Sequence, residues 1–274
     1  MIFEDENGIW IRDDQGDQLL DGKFINLPDF TESPNAAVLR ILHHEILINI
    51  VDGKPLPNLL TYSEPWYRDA AMMCRVLQKT GNLSLVKDWI LDLSEPYDGQ
   101  AGINEPDNLG QALYLISLVS DSSHPLVKEI IAEAETITVN GHLTGMTDGA
   151  QHTVYQTAWM KYGLHALKLE DHYVIPVEQD TYAHLLWWYP DLQVEDSSPL
   201  LISENFPYLT WAEDHLLGTH NASMGDQPYP LSWERMAGMA DPEQMQIIDP
   251  IYSFRRTSAP HGWTAAEMFL YLIE

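Results

Sequence analysis

The chain has little cysteine and little positive charge, and each shortage excludes a class of protein. Its one cysteine, Cys74, rules out an internal disulfide framework and any zinc or iron–sulfur site built from several cysteines. Only 14 Lys and Arg stand against 41 Asp and Glu, a net charge of −27. Without clustered basic residues the chain cannot neutralise a phosphate backbone, so we expect neither nucleic acid nor an anionic membrane surface as a partner.

Long apolar runs are also absent. No stretch approaches the roughly 20 residues of a membrane span, and the N-terminus lacks the basic and apolar regions of a secretory signal. We therefore expect a cytoplasmic protein. Hydrophobic residues make up 45% of the 274 residues, a share typical of a folded globular chain, and we expect one domain over residues 1–274.

The first thirty residues predict a small β-hairpin extension packed on that domain. Asn7-Gly8 is a strong tight-turn signal, and short apolar runs flank the segment Asp13-Asp14-Gln15-Gly16-Asp17. Its acids have the spacing of a magnesium-binding motif, but Gly16 favours a turn. His43-His44-Glu45 lacks the spacing that puts two imidazoles on one helical face, so no metal site is expected.

From Ser33 onward the apolar spacing is helical. Pro, Ser or Asn marks many of the expected starts, and Gly81 marks an end. The expected helices begin near Ser33, Pro65, Asn82, Pro106, Pro125, Thr153, Gln179, Pro207 and Pro260.

Plain amphipathic helices alternate with helices that carry aromatic, acidic and amide side chains at their starts. Capping alone explains isolated acids at helix starts, but it does not explain the rings clustered there. This alternation favours an all-α fold, an (α/α) toroid of helical hairpins in which the starts of the inner helices face a central cavity.

Three segments resemble the six-hairpin glycosidases, in particular the glucoamylase-like glycoside hydrolases. They are 62–72 (YSEPWYRDAAM), 104–113 (NEPDNLGQAL) and 260–267 (PHGWTAAE). The resemblance implies an (α/α) barrel, and it implies that Arg68 and Asp69 bind sugar hydroxyls at the barrel mouth. From the residues alone, the alternative for this pair is an ion pair within the helix.

Glycoside hydrolysis needs one protonated and one ionised carboxyl group beside the scissile bond. Glu105 and Asp107, at a helix start beside other acids and rings, are the general-acid candidates; either could instead be a helix cap. Glu213 is the candidate base, with Asp214 beside it. Polar and aromatic side chains at the other inner starts complete the expected substrate site: Trp66, Tyr67, Arg68, Asp69, Gln111, Asp148, His152, Tyr155, Trp211, His261 and Trp263.

The sequence contains no Rossmann fingerprint, phosphate-binding glycine loop or nucleophile elbow, so no cofactor is expected. The favoured function is a glycoside hydrolase acting on an oligosaccharide or glycoside, with a phosphorylase or epimerase as variants on the same toroid. The alternative is a non-catalytic carbohydrate-binding or interaction protein on that barrel.

Overall fold

Helices dominate the fold. The computed structural model describes residues 2–5, 8–21, 25–186, 188–189, 233–234 and 259–273. Within these ranges there are seven α-helices: α1 (Ala36–Leu47), α2 (Tyr67–Lys79), α3 (Lys87–Leu91), α4 (Asp107–Val119), α5 (Pro125–Thr136), α6 (Thr153–Ala166) and α7 (Gly262–Ile273). Small antiparallel sheets accompany them, so the fold is helix-rich but mixed, where the sequence predicted an all-α chain.

The N-terminal β extension is confirmed as a three-stranded antiparallel sheet in the order β1 (Ile2–Asp5), β2 (Gly8–Asp13), β3 (Gly16–Asp21). Asp13 pairs with Gly16 at the β2–β3 turn, where Gly16 has a φ of 116° that favours glycine. The acidic segment is therefore a turn, as Gly16 predicted, and not a helical magnesium motif.

Two-residue turns with positive φ recur along the chain. Asp52-Gly53 joins β4 (Ile50–Val51) to β5 (Lys54–Pro55), and Asn140-Gly141 joins β6 (Thr138–Val139) to β7 (His142–Leu143). Asp148-Gly149 closes a third turn, between Thr147 and Ala150. Asp-Gly and Asn-Gly suit type I′ turns because both central residues need positive φ. The short strands β8 (Trp233–Glu234) and β9 (Ala259–Pro260) also pair, and they are antiparallel.

The core is a row of helices. Helix α7 packs against α1 and α2, α2 packs against α4, and α4 packs against α6. The α4–α6 contact is the tightest, because a Cβ built on Gly110 would lie 2.2 Å from the carbonyl carbon of Trp159. A Cβ on Gly163 would lie 2.5 Å from the carbonyl oxygen of Gly110. Two glycines thus let the backbones of α4 and α6 touch.

Several helix bounds differ from the predictions. The segment after Asn82 was expected to be one helix but divides into a 3₁₀ turn, Leu83–Leu85, and the short α3. Asn82 does not cap a helix because its side chain is committed elsewhere. Its Oδ1 accepts from the Asn26 N–H at 2.7 Å, and its Nδ2 donates to the Asn26 carbonyl at 2.8 Å.

The segment expected to be helical from Gln179 forms only the 3₁₀ turn Thr181–Leu186, and α1 begins at Ala36, after Asn35. Gly81 ends α2 as predicted, with a φ of 76°. The helix predicted from Pro207 lies outside the described residues. In the part of the chain that is described, no helix has the length and apolar character needed to cross a membrane.

Candidate active site at the helix starts

Arg68, in the first turn of α2, lies where the starts of several helices meet. Its Nη2 donates to Glu105 Oε2 at 3.0 Å, just before α4, and its Nη1 donates to Asp148, just before α6. Its Nε is 3.7 Å from Asp107 Oδ2, in the first turn of α4. We call Glu105, Asp107 and Asp148 the carboxylate cluster. One buried guanidinium therefore ties together three segments that are far apart in sequence.

Asp107 is held inside the protein. Its Oδ1 accepts from the Thr147 hydroxyl at 2.7 Å, and its Oδ2 accepts from Gln111 Nε2 at 2.8 Å. The Gln111 amide also lies 3.5 Å from the hydroxyl of the buried Tyr155. Asp107 is 0% exposed, so it does not contact solvent. It lies on the buried side of the cluster, beside Arg68.

Glu105 holds a proton more readily than an ordinary carboxylic acid. Its Oε1 accepts from the backbone N–H of Asp148 at 2.6 Å. Burial raises the pKa of Glu105 from 4.5 to about 7. The hydrogen bond from the Asp148 N–H and the charge of Arg68 oppose the rise, and the charges of Asp107 and Asp148 add to it. A raised pKa lets the Glu105 carboxyl keep its proton closer to neutral pH, as a general acid requires.

Asp148 is the acid of the cluster that reaches solvent, with 37% of its side chain exposed. Its φ of 50° places it in the left-handed region, and this turn brings its side chain over Arg68. Burial alone would raise the pKa of Asp148, but the Arg68 guanidinium and the Tyr182 hydroxyl, which donates to Oδ2 at 2.8 Å, lower it below its usual value. The lowered pKa keeps Asp148 ionised beside a Glu105 whose pKa is raised.

A histidine–aspartate pair lies next to this cluster. His152 Nδ1 is 2.8 Å from Asp180 Oδ1, and Asp180 Oδ2 accepts from the Tyr155 N–H at 3.0 Å, which caps α6. The His152 ring stacks on Tyr182 with centroids 3.8 Å apart. Tyr182 therefore links this pair to Asp148.

Asp69 and Arg68 are neighbours in α2, but their side chains contact different parts of the chain. Its Oδ1 is 3.5 Å from Nε2 of His261, which precedes α7. His261 Nδ1 accepts from the Thr264 N–H at 3.4 Å and so caps α7. The described ion pairs of Arg68 go to the carboxylate cluster, so its strong partners are not within its own helix.

The aromatic residues that were predicted for the site fall into two groups. Trp66 and Trp263 are half-buried at the helix starts, and Trp66 packs edge-on against Tyr62. Tyr67 and Tyr155 were expected to bind substrate but lie in the core. The Tyr67 hydroxyl donates to the Glu95 carbonyl at 2.8 Å, which commits it to holding the loop before α4.

The structure brings part of the predicted site together and adds other residues. One network contains Arg68, Glu105, Asp107, Gln111, Asp148 and Tyr155, and Tyr182 links His152 to it. Trp211 and Glu213 lie outside the described residues. Asp180 and Tyr182 were not anticipated from the sequence, since no local motif marks them. The Asp148-Gly149 dipeptide was a usable turn signal.

Comparisons of the chain with protein families, with characterised proteins and with solved structures gave no match. Among the described residues, no group of three or more His, Cys, Asp or Glu side chains is arranged to hold a metal ion. Any function therefore has to be argued from the site itself.

Proposed function

We propose that the chain is a carbohydrate-active enzyme, a glycoside hydrolase acting at the starts of α2, α4, α6 and α7. The observation that carries the proposal is the pairing of two carboxyl groups in opposite states. Glu105 has a pKa of about 7, and Asp148, which touches the same guanidinium, is kept ionised. One protonated and one ionised carboxyl is the combination that glycosidic cleavage uses.

Side chains around this pair suit a sugar. Asp148 and the half-buried Trp66, Tyr182 and His261 offer ring faces and hydrogen-bonding groups on the solvent side of the helix starts. Sugars present apolar ring faces and many hydroxyls, so they bind surfaces that combine aromatic rings with charged acceptors. In this proposal Glu105 supplies the proton to the leaving oxygen, and Asp107 and Arg68 hold Glu105 and Asp148 in position.

The architecture supports the proposal at a coarser level. The row α7–α2–α4–α6 has its helix starts on one side, as the inner helices of an (α/α) toroid do. We propose that these four belong to such an inner ring, as in the six-hairpin glycosidases. The cytoplasmic location expected from the sequence stays a prediction.

One observation favours the non-catalytic alternative. Glu105 is 1% exposed and Asp107 is 0% exposed, and the protein's own donors already occupy the oxygens of both. A carbohydrate-binding protein would use the same network to orient Asp148 without transferring a proton.

Turnover separates the two functions. A panel of nitrophenyl glycosides and oligosaccharides should be incubated with wild type, with Glu105→Gln and with Glu133→Gln. Glu133 is a matched control because it also accepts one side-chain hydrogen bond, from Tyr97 at 2.9 Å, on the separate helix α5. Losing a general acid costs about 10²–10⁴-fold, so Glu105→Gln should lose the activity that Glu133→Gln keeps. Binding of an oligosaccharide without turnover by wild type would establish the alternative.

A further inference from the structure

The His152–Asp180 pair has a geometry that helix capping does not require. Asp180 is fixed by two backbone donors, the N–H of Tyr155 at 3.0 Å and the N–H of Tyr182 at 2.9 Å. It would cap α6 equally well with no histidine beside it. The 2.8 Å contact from Asp180 Oδ1 to His152 Nδ1 is an additional interaction.

This contact decides which nitrogen of His152 carries the proton. An ionised carboxylate can only accept hydrogen bonds, so the proton of a neutral imidazole is held on Nδ1. Nε2 then presents a lone pair. Within the described part of the chain, Nε2 has no hydrogen-bond partner, while Nδ1 is fully engaged.

The ring is also held rigidly toward the carboxylate cluster. Tyr182 stacks on it at an interplanar angle of 15°, and the Tyr182 hydroxyl donates to Asp148 Oδ2 at 2.8 Å. The charged and titratable groups around the imidazole are Asp180, Tyr182 and Asp148, with Arg68 behind Asp148. His152 is 6% exposed, and an acid on Nδ1 and a stacked ring fix its imidazole. An imidazole held in this way, with no described residue on Nε2, is the arrangement of a base held by an orienting acid.

We propose that His152 is the proton acceptor of this site and that Asp180 is its positioning residue. The inference rests on the proposed hydrolase function and adds a proton acceptor beside the ionised Asp148. A water molecule gives its proton to His152 Nε2 while its oxygen bonds to the anomeric carbon. The bond from that carbon to the leaving oxygen breaks, and the leaving oxygen takes the proton of Glu105.

Kinetics test the role of His152. His152→Gln should lower kcat by about 10²–10⁴-fold with KM changed little, because the base acts in the chemical step. Added imidazole should restore part of the kcat of His152→Ala, an effect that a merely structural histidine would not show. Unchanged kcat in His152→Gln, or no restoration by imidazole, would overturn the proposal.

The other end of α6 provides matched controls. His165, near the end of α6, has its Nε2 2.8 Å from Oδ2 of Asp171, which follows the helix. His165→Gln and Asp171→Asn therefore remove a second histidine–aspartate pair, away from the helix starts. Both variants should keep wild-type kcat. Asp180→Asn should instead lower kcat and leave KM nearly unchanged.

The tautomer can be measured without any substrate. Nitrogen-15 NMR of histidine-labelled wild type should show His152 with its proton on Nδ1 and a bare Nε2, and Asp180→Asn should lose that preference. A proton on Nε2 in wild type would overturn the inference even if the protein hydrolyses glycosides. If wild type shows the Nδ1–H tautomer but cleaves no glycoside, the proposed function fails and the catalytic role of His152 fails with it, while Asp180 still stands as the residue that orients the imidazole.

Discussion

Helix α2 carries two arginines, seven residues apart and therefore on one face, in opposite surroundings. Arg68 touches Glu105, Asp107 and Asp148. Arg75 donates to the Tyr162 hydroxyl at 2.9 Å, and its guanidinium lies 4.0 Å from the centre of the Trp188 ring. Carboxylates surround Arg68, whereas an aromatic ring and a phenol hydroxyl contact Arg75.

The two arginines show how the surroundings at the two ends of helix α2 differ. Among the three carboxyl groups around Arg68, burial raises the pKa of Glu105 to about 7, and the charges of Asp107 and Asp148 add to the rise. The surroundings of Arg75 contain rings in edge and tilted contact, including Trp159, Tyr162 and Trp188. They stabilise by packing. The carboxyl groups at the helix starts are therefore the part of α2's surroundings to which we assign the proposed chemistry.

Removing each cation should give the largest contrast. Arg68→Met leaves the carboxylate cluster without its counter-charge, and breaking a buried ion pair from one side costs about 3–5 kcal/mol. Arg75→Met is the matched control, and it should cost only about 1–2 kcal/mol because it loses a cation–π contact and one hydrogen bond. Urea unfolding of the two variants measures both. Equal losses would mean that the two surroundings do not differ electrostatically.

The pH dependence of stability should locate the protonated group. Glu105 has a folded-state pKa of about 7 against an ordinary 4.5, so between these values the folded state binds more protons than the unfolded state. Stability must then fall as pH rises through this window. Relative to Glu105→Gln, the free energy of unfolding of wild type should fall by roughly 3 kcal/mol between about pH 4.5 and pH 8. A constant difference across that range would show that the pKa of Glu105 is not raised.

The backbones of α4 and α6 touch at Gly110, where there is no room for a side chain. Gly110→Ala would place a Cβ 2.2 Å from the Trp159 carbonyl carbon, and overpacking of this kind costs about 1–3 kcal/mol. Gly99→Ala is the control in open space, although its φ of 69° adds strain of its own. Thermal melts should show the larger loss for Gly110→Ala. A smaller loss would mean that the helices separate freely.

Local signals predicted much of the fold. Pro65, Pro106 and Pro125 marked helix starts to within two residues, and Gly81 marked an end, because proline and glycine restrict the backbone irrespective of distant contacts. The predicted helix after Asn82 was wrong, because Asn82 binds the distant Asn26. Capping rules consider neighbours in sequence and cannot anticipate such a contact.

The sequence predicted several residues that lie together at the helix starts, but it did not predict the hydrogen bonds and ion pairs between them. The rings and acids at helix starts indicated where the chain converges, and the residues there include Arg68, Glu105 and Asp148. The alternative interpretation paired Arg68 with Asp69 within the helix, but the described partners of Arg68 lie 37 and 80 residues away. Asp180 and Tyr182 carry no local motif, and only the tertiary fold brings them to His152.

The most direct measurement of the central claim, that sugars bind at the helix starts, is calorimetric titration of wild type and Asp69→Asn with a panel of oligosaccharides, beside thermal melts of both. The substitution keeps the shape of Asp69 but removes its charge and one acceptor oxygen, and a charge-assisted hydrogen bond is worth about 1.5–3 kcal/mol. Affinity should therefore weaken by about ten- to a hundredfold, while the control Asp171→Asn should bind as wild type does. Unchanged affinity together with a lowered melting temperature would contradict the account, because Asp69 would then serve the scaffold and not the sugar.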